Sequence, residues 1–158
     1  MSVTSDILAS WRAPRAVIRR HLARGRSEPF AFSLLVAFLV LAFVAMWPRL
    51  SRLAVITPEA PMVQGLVGTG LGLLATIPLF YVVAAASHAF ARAFGGRGGY
   101  YGARIALFLA LLAVSPLVLL SGVTLGFMGQ GAQSLLTGGA AFAAFVVIWV
   151  NMLIEAET

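Results

Sequence analysis

Cysteine is absent from this 158-residue chain, which excludes disulfide bonds, thiolate metal sites and cysteine nucleophiles. Lysine is absent as well, so all eleven basic residues are arginine. Acidic residues number only five. These absences leave the chain without a cluster of acids, bases and nucleophiles that would identify a reaction. We therefore expect a protein that is not an enzyme and that has no cofactor and no metal site.

Charge of either sign is scarce in the composition. Only 10% of the residues are charged and 61% are hydrophobic, and the mean hydropathy is +0.98. A soluble domain has roughly a quarter of its residues charged, so this much apolar surface predicts a protein whose solvent is lipid. The net charge of +6 gathers at the ends of apolar runs. This distribution favours contact with anionic lipid headgroups over nucleic acid.

The basic segment, residues 1–29, contains most of the polar residues. Its apolar residues recur at helical spacing and its arginines occupy the other faces, a pattern typical of an amphipathic helix lying in the membrane interface. Pro14 is expected to divide it into two pieces. The alternative is a partly disordered basic tail, and the absence of a cleavage site argues against a secretory signal. The apolar set is Ile7, Leu8, Trp11, Ile18 and Leu22. The basic set is Arg12, Arg15, Arg19, Arg20, Arg24 and Arg26.

The rest of the chain, residues 30–158, is predicted to be a transmembrane helical domain. Four apolar runs are long enough to cross a bilayer of about 30 Å. They cover residues 30–47, 62–86 with an extension to 94, 105–127 and 135–154. Arg49 to Pro61 between the first two is predicted to be a loop on the non-cytoplasmic side. The fold class is therefore an all-α membrane protein, a four-helix transmembrane bundle with an interfacial helix before it.

Small residues and prolines mark expected contacts and bends within the spans. Gly68 and Gly72 form one pair at helical spacing and Gly122 and Gly126 form another, so each pair allows close approach of a neighbouring helix. Pro78 and Pro116 are predicted hinges, because proline removes one backbone donor from a helix.

A short glycine-rich connection, the joint, runs from Ala91 to Arg104 as ARAFGGRGGYYGAR. Its arginines, Arg92, Arg97 and Arg104, lie beside long apolar runs, and arginine so close to a span is disfavoured on the translocated side. With both termini cytoplasmic, nine arginines lie inside and only Arg49 and Arg52 lie outside. This bias predicts a multi-pass protein of the bacterial inner membrane with the joint and both termini in the cytoplasm.

His88 is the weak candidate for a cofactor ligand. Ala84 and His88 form an AxxxH spacing that resembles the way light-harvesting antenna helices present a histidine to the magnesium of bacteriochlorophyll. Alanine-rich sequence meets this spacing by chance, and the other interpretation is a hydrogen-bonded or solvated histidine at the headgroup level. Glu155 and Glu157, after the last span, are expected to lie in solvent.

The segments WRAPRAVIRRHLARG and GGRGGYYGARIALFLALLAVSPLVLL, in this order, resemble a small bacterial member of the Yip1 family of membrane proteins. The resemblance covers most of the chain, and Tyr101, Gly102 and Pro116 match positions whose implied roles are structural. Family members typically have five spans, so the resemblance implies a fifth span as the alternative to four. Eukaryotic members are trafficking factors that engage small GTPases and shape membranes.

Three functions remain open from the sequence. The leading one is a scaffold or accessory subunit of a larger inner-membrane complex, or a membrane-organising factor, with other membrane protein subunits as partners. The alternative is a small oligomeric transporter or channel, supported by the prolines within the spans but not by any charged residue inside them. The second alternative is a pigment-binding accessory of a photosynthetic or electron-transfer complex, which would act through His88.

Overall fold

The computed structural model of the chain describes residues 3–57, 59 and 61–158. Seven helices occupy this part of the chain. They are α1 (Val3–Arg12), α2 (Pro14–Ala23), α3 (Glu28–Ile56), α4 (Met62–Ala75), α5 (Ile77–Ala93), α6 (Tyr100–Met128) and α7 (Ala132–Glu157).

Four of the described segments are long and apolar enough to cross a membrane, which confirms the predicted all-α membrane class and the number of spans on those criteria. The second of them consists of α4 and α5, which are separated only at Thr76. Pro78 lies in the first turn of α5, where its missing N–H has no helical partner to lose. The spans are Glu28–Ile56, Met62–Ala93, Tyr100–Met128 and Ala132–Glu157.

The first span is longer than its uncharged core, and this corrects the prediction of a loop from Arg49 to Pro61. Helix α3 continues through Pro48 to Ile56. A proline inside a helix removes only one backbone donor, and the added turns gain a tertiary contact. Arg52 donates from Nη1 to the carbonyl oxygen of Phe127 at 3.0 Å, satisfying a carbonyl at the end of α6. Pro58 and Ala60 of the predicted loop lie outside the described residues.

Helix α6 is the centre of the bundle. It runs parallel to α3, because Glu28 lies beside Arg104 at one end and Ala45 lies beside Gly122 further along. It runs antiparallel to α7, since Thr124 pairs with Thr137 near the opposite end at 2.9 Å. These directions agree with four successive crossings in alternating senses.

Burial differs strongly between the spans. Each span contains an 18-residue apolar window, and the share of buried residues in this window differs from span to span. This share is 61% for α6 and 39% for α3, but 0% for Met62–Ala93. The core is built mainly around the first half of α6, where Ile105, Leu107 and Phe108 are almost completely buried. The span made of α4 and α5 therefore lies at the edge of the bundle, with much of its apolar surface exposed although Phe80 and Tyr81 pack against the core.

Helices α1 and α2 form a pair packed on the bundle, with Ala13 between them. Pro14 begins α2 and so separates the two helices, as a proline at the first helical position does. Val17 and Ile18 of α2 are completely buried in the core. The apolar residues of the basic segment are thus partly used against the bundle. The sequence pattern assigns all of them to the lipid interface, and it also predicts the division at Pro14.

Candidate functional site

The end of the bundle that carries the joint, called here the joint end, brings together the polar side chains of distant segments. The start of α3, the end of α5, the start of α6 and the end of α7 all meet there. Arg104 donates to Glu28 Oε1 at 2.8 Å, and Arg26 contacts the same carboxylate at 3.0 Å. Two histidine–carboxylate pairs lie at the same end, and sequence reasoning identified neither.

The first pair joins His88 on α5 to Glu157 on α7. The distance from His88 Nδ1 to Glu157 Oε1 is 2.7 Å, and both side chains are almost fully buried. The ring of Tyr100 packs against the imidazole with centroids 4.4 Å apart. Glu157 is therefore a buried partner of His88, which corrects the expectation that this residue lies in solvent. In this arrangement His88 is a buried residue whose Nδ1 is hydrogen-bonded to Glu157.

The joint encloses the end of α7 and explains why Glu157 is buried. Gly95 adopts φ +92°, a conformation that favours glycine, and turns the chain after α5. Arg97 then donates its backbone N–H to the carbonyl oxygen of Glu157 at 2.7 Å. A Cβ at Gly98 would overlap the carbonyl oxygen of Ala156. The glycines of the joint thus allow backbone contact with α7 as well as a turn.

The second pair joins Asp6 on α1 to His21 on α2. His21 Nε2 lies 3.1 Å from Asp6 Oδ2, and Arg20 lies 3.4 Å from the other carboxylate oxygen. Burial lowers the pKa of His21 below its ordinary value of 6.5, outweighing the attraction of Asp6, and Arg24 and Arg20 lower it further. Nδ1 of His21 is buried without a partner among the described residues. A neutral ring that donates from Nε2 fits these surroundings, because a buried unpaired N–H is costly.

One hydrogen bond ties α1 to the middle of α6. Trp11 donates from Nε1 to the carbonyl oxygen of Ala113 at 2.9 Å. Ala113 lies three residues before Pro116, and a proline opens the hydrogen-bond ladder of the turn before it. Arg19 of α2 adds an exposed ion pair with Glu155 of α7 at 2.7 Å. The pair α1–α2 is therefore attached along both α6 and α7.

The predicted headgroup arginines divide into two groups. Arg19, Arg20, Arg26 and Arg104 contact acidic side chains. The others, Arg12, Arg15, Arg24, Arg92 and Arg97, are exposed. Within the described residues, the second group therefore carries the positive charge that no carboxylate contact balances.

The two glycine pairs have opposite surroundings. A Cβ at Gly122 would overlap the backbone of Ala45, and a Cβ at Gly126 would overlap Pro48. At Gly68 and Gly72 no atom of the described chain lies within 4 Å of such a Cβ. The α6 pair is therefore occupied by α3, while the α4 pair faces outward.

An open groove lies between α5 and α7 beside the joint. Its volume is about 1110 Å³, slightly above the roughly 300–1,000 Å³ usual for ligand pockets. Apolar side chains such as Phe90 and Leu153 form its walls, and Arg97 and Glu157 lie at its polar end. The sequence signal for this groove is weak, since only the folded arrangement shows that α5 and α7 line it.

Chemically, the joint end offers binding groups more than reactive ones. Among the described residues, no group of three or more His, Cys, Asp or Glu side chains is placed to hold a metal ion. Each buried histidine faces one carboxylate. Comparison with models of known families, with curated proteins and with solved structures found no match for this chain.

Proposed function

We propose that this protein is a non-enzymatic integral membrane protein that works as a scaffold or accessory subunit for other membrane proteins. The observation that supports this most directly is the uncovered second span. None of the apolar window of Met62–Ala93 is buried within the chain, although the other three windows are partly covered.

Helix α4 is the part of that span on which a partner would pack. Its apolar side chains Val67, Leu71 and Leu74 are all more than half exposed, and Gly68 and Gly72 leave the backbone open between them. In lipid, helices associate through close packing rather than through burial from water, so small residues are the usual contact. The α6 pair illustrates that packing inside this chain, because α3 already occupies it.

We infer a bacterial inner membrane, with the joint and both termini in the cytoplasm. The supporting observation is that Arg92, Arg97 and Arg104 at the joint end, together with Arg19 beside Glu155 at the end of α7, lie on one side of the spans, which matches the positive-inside rule. In that orientation the end of α2, with Arg24 exposed, lies on the cytoplasmic side toward anionic headgroups. The resemblance to the Yip1 family stays a prediction beside this proposal.

A paired substitution tests the scaffold proposal. Gly72→Leu fills the open face of α4, whereas Gly139→Leu makes the same change on α7, where a Cβ also meets no atom within 4 Å. Gentle solubilisation of the native membrane followed by affinity purification measures which membrane proteins remain bound. We expect Gly72→Leu to lose partners that both the wild type and Gly139→Leu retain. Equal recovery with the two variants, or a wild type without bound membrane proteins, contradicts the proposal.

The alternative function is a small oligomeric transporter. It is favoured by the interruption at Thr76 in the middle of the second span, since broken helices are common at transport sites. Against it, we find only uncharged residues through the apolar middle of the described spans, where relays usually place ionisable groups. Solute uptake into proteoliposomes measures it directly, and uptake that Thr76→Val abolishes would favour transport over scaffolding.

A further inference from the structure

The groove between α5 and α7 has the features of a lipid site with a built polar end. One wall is formed by α5 and the joint, including Ala86 and Phe90, and the other by α7, including Trp149 and Leu153. The groove is open along its length and runs from the apolar middle of the bundle to the joint end. An extended hydrocarbon chain is the ligand shape that such a groove fits.

An unpaired carboxylate oxygen lies at the polar end. Glu157 uses Oε1 for His88, but Oε2 is buried without a hydrogen-bond partner among the described residues. The side chain of Glu157 is 5% exposed, and an unpaired buried acceptor of this kind is costly. A Cβ atom added at Gly96 would lie 3.0 Å from Oε2, and one added at Gly98 would lie 2.9 Å from it. Because those residues are glycine, the backbone of the joint lies directly against this oxygen.

A cation is positioned beside that carboxylate. Arg97 lines the same end of the groove and is exposed, and within the described part of the chain its guanidinium is absent from every ion pair. Its backbone N–H donates to the backbone carbonyl oxygen of Glu157 at 2.7 Å, so the two residues are adjacent at this end of the groove. The end of the groove thus presents one positive and one negative group.

We propose that this groove binds a phospholipid with a primary amine in its headgroup, of the phosphatidylethanolamine class. The acyl chain occupies the apolar groove, the phosphate pairs with Arg97 and the ammonium donates to Glu157 Oε2. A phosphatidylglycerol headgroup leaves the carboxylate without a cation. A phosphatidylcholine headgroup carries a cation without N–H donors, so the oxygen still lacks a hydrogen bond.

Native mass spectrometry of the purified full chain, titrated with the three lipids at identical acyl composition, measures the preference. We expect phosphatidylethanolamine to bind about tenfold more tightly than either of the others, since tenfold corresponds to about 1.4 kcal/mol and one hydrogen bond to a charged group is of that size. Soluble phosphoethanolamine should not displace the lipid, because it lacks the chain that fills the groove. Equal retention of the three lipids by the wild type, or displacement by soluble phosphoethanolamine, would overturn the proposal.

Variants locate the site on the chain. Glu157→Gln keeps an acceptor for His88 but removes the charge, and should abolish the preference among headgroups. Ala86→Trp fills the groove and should reduce binding of all three lipids, whereas Ala89→Trp on the same helix is an exposed residue outside the groove and should leave binding unchanged. An unchanged headgroup preference in Glu157→Gln, or equal effects of the two tryptophan variants, places the lipid elsewhere and refutes the assignment.

Discussion

The hydrogen bond from Trp11 to Ala113 links the N-terminal helices to the central helix, and its removal is the most informative perturbation. Trp11→Phe keeps an aromatic ring but removes the Nε1–H that lies 2.9 Å from the carbonyl oxygen of Ala113. A net hydrogen bond contributes about 0.5–1.5 kcal/mol, and side-chain bonds in membrane proteins average about 0.6 kcal/mol. Ala113 is 1% exposed, so losing its side-chain donor adds a desolvation cost. We expect a loss of about 1–2 kcal/mol in the free energy of unfolding.

The measurement is the free energy of unfolding in mixed detergent micelles, titrated with denaturing detergent and followed by circular dichroism. Trp47→Phe is the matched control, because the indole of Trp47 is about as exposed as that of Trp11 and contacts the ring of Phe43. The control should lose less than about 0.5 kcal/mol, the usual range for surface changes. Equal losses in the two variants would refute the assigned role of Trp11.

A double-mutant cycle with Pro116→Ala tests the physical reason for this hydrogen bond. Alanine restores the backbone donor for the carbonyl of Leu112, the residue next to Ala113, and removes the ring that crowds it, so the turn around Ala113 tightens and its carbonyl becomes less accessible to Trp11. The cost of Trp11→Phe should therefore fall by about 0.5 kcal/mol or more in that background, the size of coupling expected for groups in one network. Strictly additive effects of the two substitutions would show that Pro116 does not influence the hydrogen bond between Trp11 and the carbonyl oxygen of Ala113.

Three further predictions concern packing and charge. Gly122→Ala should destabilise the protein by about 1–3 kcal/mol through overpacking against α3, whereas Gly68→Ala should be neutral or stabilising by up to about 1 kcal/mol; similar unfolding free energies for the two would contradict the packing. Gly98→Ala should lower the thermal midpoint, because its Cβ overlaps the end of α7, and an unchanged midpoint would contradict the close contact at the joint. The lowered pKa of His21 means that the unfolded chain binds its proton first as pH falls below about 6.5, so stability should be constant above that pH and decrease below it. His21→Gln should reduce this slope, and a slope equal to that of the wild type would assign it to other groups.

The spans were predictable because their signal is compositional. An uncharged run such as Phe30–Trp47 identifies a bilayer-crossing helix whatever it packs against. The end of the first span was not predictable by the same means. Pro48 is a strong local signal for stopping a helix, but the contact of Arg52 with the end of α6 is made by residues 75 positions apart. Such a contact exists only after folding.

The site was harder to predict than the fold for a similar reason. Glu157 follows an apolar run, and sequence position alone places it in water, yet it pairs with His88 across 69 residues. The glycine pairs show the same limit. Gly68 and Gly72 repeat the spacing of Gly122 and Gly126, but only the second pair meets a helix of the same chain. Spacing indicates which residues permit close contact, and the tertiary arrangement decides which of them make it.

The docking of α1 and α2 has a consequence for biosynthesis. These helices leave the ribosome first. The last residue of α7 that they contact is synthesised roughly 130 residues later, which takes about 6–26 s at about 5–20 residues per second. During that interval the two newly made helices have no completed surface to receive them. Docking of α1 and α2, which are synthesised first, is therefore the last step in assembly of the bundle. A defect in α7 should leave these two helices accessible to proteases in the nascent protein.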